Sequence, residues 1–135
     1  MIETIVSLET AKLLKEKGFN EPCLYYFGCD DKGNLIPKCV AGIQDCECRT
    51  VEDLYIQNNL LLEEELLQPT LSLAQKWIRE KGIHIGVYAN ASGWGWILTK
   101  CGGNGSCIKE IEDDTFFNTY EDALEEGLKQ ALKLI

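Results

Sequence analysis

The sequence predicts a single α+β domain spanning residues 1–135, with a mainly antiparallel sheet covered by helices. Three observations predict this class. Three segments carry apolar residues at helical spacing, five short segments are rich in strand-forming residues, and the strands come in runs instead of alternating with helices. A chain of 135 residues with 45% hydrophobic and 26% charged composition matches one globular domain.

Capping residues define the first two predicted helices. Ser7 offers a hydroxyl that accepts from a free amide of the first turn, and Gly18 suits the left-handed position after a helix. Pro69 is expected in the first turn of the second helix, where its missing donor costs nothing, and Gly82 ends that helix. With a third helix, the predicted ranges are 8–17, 70–81 and 120–133.

The third predicted helix follows Thr119, which is its expected N-cap. Ala123, Gly127 and Ala131 repeat every four residues, so their small side chains lie in one row. Gly127 costs about 1 kcal/mol relative to alanine inside a helix, and close packing is a reasonable compensation. The row therefore predicts a helix that lies close to a sheet face.

Strand-forming residues and turn signals mark the predicted strands. The turn "DDKGN" at 30–34 joins the first two strands into a hairpin, and Pro37 limits the second strand to a sheet edge or a strand start. Residues 44–50 are expected in a loop, and 51–67 fit a short helix or an irregular strand equally well. The predicted strands are near 23–27, 35–43, 83–89, 94–101 and 107–111.

Two of the three tryptophans flank Gly95 in the fourth predicted strand. A loop of four residues (90–93) and a loop of two (91–92) both give the same register between the third and fourth predicted strands. In it Trp94 lies opposite Ala89 and Trp96 opposite Val87. If 102–105 is the next loop, Trp96 also meets Ile111. This agreement favours core positions for both tryptophans, with Tyr88 on the other face across from Gly95.

The alternative interpretation of the aromatic residues is a platform for a ligand. An exposed Tyr88 beside the tryptophan edges would stack against a small molecule. Under this hypothesis the ligand-binding residues are Tyr88, Trp94 and Trp96.

The seven cysteines do not form a strong metal signature. Zinc sites typically use two pairs of cysteines with two to four residues between the members, and here only Cys46 and Cys48 are close, with one residue between them. A metal site would therefore need cysteines that are far apart in the sequence but close together in the fold. Its candidate ligands are Cys29, Cys39, Cys46 and Cys48, and the sequence predicts no metal and no cofactor.

No catalytic motif is present, so an enzyme is disfavoured. The chain has no nucleophile elbow, no phosphate-binding loop before a helix and no dinucleotide fingerprint. A thiol enzyme would need His84, the single histidine, beside a cysteine in the fold. No catalytic residue is therefore assigned.

The net charge and the start of the chain indicate which partners and which cellular location to expect. Thirteen basic residues face 22 acidic ones, giving a net charge of −9. Direct nucleic-acid binding needs clustered Lys and Arg, so it is disfavoured. The start of the chain, with Glu3 and no long apolar run, predicts neither a signal peptide nor a membrane partner. We expect a cytoplasmic protein.

Three blocks of the sequence resemble a known group of proteins. They are "SLETAKLLKEKGF", "PTLSLAQKWIRE" and "TYEDALEEGLKQALKLI". In these blocks the chain resembles an uncharacterised family of small proteins from phages, prophages and mobile elements of gut bacteria. The resemblance implies a mobile-element origin and a cytosolic setting. It provides no catalytic motif, and the cysteine-rich segment "CVAGIQDCECRT" lies outside the shared blocks.

The leading functional hypothesis is a non-enzymatic accessory protein that binds a protein partner. A sharper form is an acidic mimic of nucleic acid, whose rows of carboxylates imitate phosphates. The alternatives are a small-ligand binder that uses the aromatic side chains, and a metal or thiol site.

Overall fold

The computed structural model describes residues 4–21, 23–39, 65–101, 106–111 and 116–135. Within these ranges it has an α+β fold, as the sequence predicts, with three helices and two antiparallel sheets. The helices are α1 (Leu8–Glu16), α2 (Leu71–Glu80) and α3 (Tyr120–Leu132). The strands are β1 (Tyr25–Cys29), β2 (Leu35–Cys39), β3 (Leu66–Gln68), β4 (Ile83–Asn90), β5 (Gly93–Lys100) and β6 (Cys107–Glu110).

The chain divides into two compact units. Residues 5–69 form the N-terminal unit, which contains α1 and the sheet β2-β1-β3. Thr4 and residues 70–135 form the C-terminal unit, which contains α2, α3 and the sheet β4-β5-β6. The strands expected in one sheet therefore belong to two sheets.

In the N-terminal unit, β1 and β2 form the predicted hairpin. The Asp30 carboxylate accepts hydrogen bonds from the backbone amides of Asn34 and Lys32, at 2.8 and 2.9 Å, which closes the turn. These bonds, that from Asn34 above all, lower the pKa of Asp30. Pro37 lies in β2, an edge strand of the described sheet, where its missing donor is tolerated.

The segment before α2 follows one of the two predictions for 51–67, a strand, but differs from the prediction for Pro69. Leu66–Gln68 forms β3, which pairs with β1 across Tyr25–Phe27. Pro69 does not lie in the first turn of the helix, because the hydroxyl of Thr70 is the N-cap and accepts from the amide of Leu73. Gln68 is buried, and its amide donates to the Val6 carbonyl at 3.0 Å. Burial and pairing within the N-terminal unit therefore hold these residues in a strand.

In the C-terminal unit, β4 and β5 pair in the predicted register. Ala89 lies opposite Trp94 and Val87 opposite Trp96, and the strands are joined by the two-residue loop 91–92. Gly93 has φ of 134°, a conformation that L side chains rarely adopt. The amide of Ile111 donates to the Trp96 carbonyl at 3.1 Å, which confirms the predicted neighbour on the third strand.

Helices α2 and α3 pack against β4 and against each other, and α3 also packs against β5. Ala123, Gly127 and Ala131 are all buried, as their spacing predicts. A Cβ at Gly127 would lie 2.8 Å from Ile85 and 3.4 Å from Trp96, so α3 lies close to the sheet at that point. None of the described helices is long and apolar enough to cross a membrane.

Candidate functional site

The structure places Tyr88 on the face of the C-terminal sheet opposite the helices. We call this face the open face, and its positions on β4 and β5 are His84, Gly86, Tyr88, Gly95, Ile97 and Thr99. The Tyr88 ring lies over Gly95, because a Cβ there would be 2.6 Å from the ring carbon Cζ. Tyr88 is nevertheless 37% exposed. It therefore covers the glycine and still presents its ring to solvent.

Trp96 lies on the opposite face and is 4% exposed. Gly127 of α3 lies next to Trp96. Val87 of β4 pairs with Trp96, and Ile85, two residues before Val87, lies on the same face of the sheet. The indole Nε1 is buried and has no hydrogen-bond acceptor in the described part of the chain. Leaving such a donor unpaired costs free energy, so packing rather than hydrogen bonding holds this ring in place. Trp96 is therefore a core residue of the C-terminal unit.

Trp94 is half-buried beside the start of α3. Its ring meets the Tyr120 ring edge to face, with 5.6 Å between ring centroids. Its backbone exchanges two hydrogen bonds of 2.8 Å with Phe117. The structure therefore separates the three candidate ligand-binding residues, with Tyr88 on the open face and both tryptophans on the other face.

The candidate metal ligands do not assemble in the described residues. Cys29 and Cys39 lie at opposite ends of the β1–β2 hairpin, opposite Leu35 and Tyr25 respectively. Their backbone positions differ by four residue steps, roughly 13 Å along the strands. Zinc–sulfur bonds are about 2.3 Å, so one ion needs its sulfurs much closer together. Cys46 and Cys48 lie outside the described residues.

Among the described residues no group of three or more His, Cys, Asp or Glu side chains could hold a metal ion. His84 is exposed on the open face, opposite Thr99, and Thr99 pairs in turn with Cys107. Two strand spacings, about 10 Å, separate the backbones of His84 and Cys107. The sheet therefore does not place His84 directly beside that cysteine.

The described thiols have different environments. Burial raises the pKa of the Cys23 thiol to about 12, and the Glu21 carboxylate adds to the rise. Its Sγ donates to the Glu21 carbonyl at 3.2 Å. Cys107 is exposed. Cys23 is therefore held as a neutral thiol at ordinary pH and is a poor nucleophile.

The described acids include a group in the first half of α3, where Glu121 and Asp122 complement the positive end of the helix dipole. Many other acids, among them Glu63, Glu64 and Asp113, lie outside the described residues. The acidic-mimic hypothesis therefore stays a prediction.

One feature of the C-terminal unit is missed by reasoning from the sequence. It is the outer edge of β4, where alternate backbone groups face away from β5. The signal in the sequence is the segment "IHIGVYAN", which contains no Asp, Glu, Lys, Arg or Pro.

Comparison with protein-family models, curated proteins and solved structures gives no match. The resemblance to phage and mobile-element proteins thus stays a prediction.

Proposed function

We propose that this chain is a non-enzymatic accessory protein of a phage or other mobile element that acts in the cytoplasm by binding another protein. The contact surface in this proposal is the open face of the C-terminal sheet. The single observation that carries it is the exposure of Tyr88, at 37%, on a sheet face opposite two packed helices.

The composition of this surface supports recognition of a protein. Tyr88 offers a rigid ring with a polar hydroxyl, a combination enriched at protein interfaces. Ile108, in the neighbouring β6, is 44% exposed, and His84 and Glu110 add exposed polar side chains. Exposed apolar residues rimmed by polar ones are typical of contact sites.

The test is affinity capture from the native host with matched variants. We expect wild-type protein to capture a partner and Tyr88→Ser to reduce that capture at least tenfold, because the ring would be central to the contact. Leu134→Ser is the control, since Leu134 is 48% exposed in the same unit but lies in the segment after α3. It should capture the partner as wild type does.

Tyr88→Ser also uncovers Gly95, so urea unfolding must first show that the variant is folded at the assay temperature. Equal capture by folded Tyr88→Ser and wild type would contradict the proposed surface. Absence of any specific partner for wild-type protein would contradict the proposed function.

A further inference from the structure

We draw no further inference here: the strongest candidate, the outer edge of β4 at Val87 and Ala89 in the C-terminal sheet, carries nothing, because no observation in the described part of the chain shows what covers that edge.

Discussion

The two faces of the C-terminal sheet use glycine in opposite ways. On the covered face, Gly127 lets α3 approach Ile85 and Trp96, which are 1% and 4% exposed. On the open face, Gly95 makes room for the Tyr88 ring, which remains 37% exposed. The atoms that a Cβ at Gly127 would meet belong to buried residues, whereas those beside Gly95 belong to the Tyr88 ring, which is partly exposed to solvent. We therefore expect the covered face to determine stability and the open face to tolerate change.

The strongest test of this difference is Trp96→Ala. Removing a buried aromatic side chain leaves a cavity, and we expect a loss of about 4 kcal/mol in the free energy of unfolding. Trp96→Phe is the control. It shortens the side chain but also removes the unpaired Nε1 donor, so its cost should stay below about 2 kcal/mol. Urea unfolding measures both, and equal losses would contradict a packing role for the indole.

In the N-terminal unit, the buried thiol of Cys23 makes the free energy of unfolding depend on pH. Burial, with a contribution from Glu21, raises the pKa of Cys23 from 9.0 to about 12. Above pH 9 the unfolded thiol loses its proton and the folded one keeps it, so stability falls between pH 9 and pH 12. At pH 10 this loss amounts to about 1.4 kcal/mol.

Urea unfolding at pH 7 and pH 10 isolates the contribution of Cys23. The loss between the two pH values should be smaller in Cys23→Ala than in wild type. Cys107→Ala is the control, because that cysteine is exposed, and it should retain the wild-type loss. An unchanged loss in Cys23→Ala would show that burial of the thiol does not govern this pH dependence.

A smaller effect is expected from Gly127→Ala. The new Cβ would lie 2.8 Å from the Ile85 methyl carbon Cγ2, and such overpacking costs about 1–3 kcal/mol. The gain in helix propensity offsets about 1 kcal/mol of this cost. We expect a net loss of about 1 kcal/mol in thermal or urea unfolding. Stabilisation by this substitution would mean that α3 does not depend on a close approach.

The smallest effect is expected from Gly95→Ala on the open face. Its Cβ would lie 2.6 Å from the Tyr88 ring, but the ring is the far end of a side chain and swings outward at about 0.5 kcal/mol. The substitution should make Tyr88 fluorescence or its ring resonances more solvent-sensitive. In a Tyr88→Ala background the cost should vanish. A loss above about 2 kcal/mol would place the open face under the same confinement as the covered one.

Local patterns were sufficient for much of the fold. The alternation along 83–101, with its short loop, predicts that Trp96 and Leu98 share a face and that Tyr88 lies across from Gly95. A shift of one residue would move every apolar side chain to the other face, so the register is strongly specified. Helix caps at Ser7 and Thr119 were likewise readable, because a hydroxyl and a nearby amide suffice to form them.

Other features depend on contacts between segments that are far apart in the sequence, so no local pattern predicts them. The three residues of β3 become a strand because they pair with β1, about 40 positions earlier in the sequence. Pro69 cannot reveal by itself whether it begins a helix or ends a strand. The side of β4 that faces away from β5 becomes evident only because Gln75 of α2 donates to the Ile85 carbonyl at 2.8 Å.

The sequence by itself determined the helices, the β4–β5 register and the row of small residues on α3, because each depends on periodicity or on groups within a few residues. Only the tertiary structure decided that the strands form two sheets and that Leu66–Gln68 pairs with β1. Those outcomes depend on which distant segments bury each other's apolar surface and satisfy each other's backbone groups, and no local pattern encodes that choice.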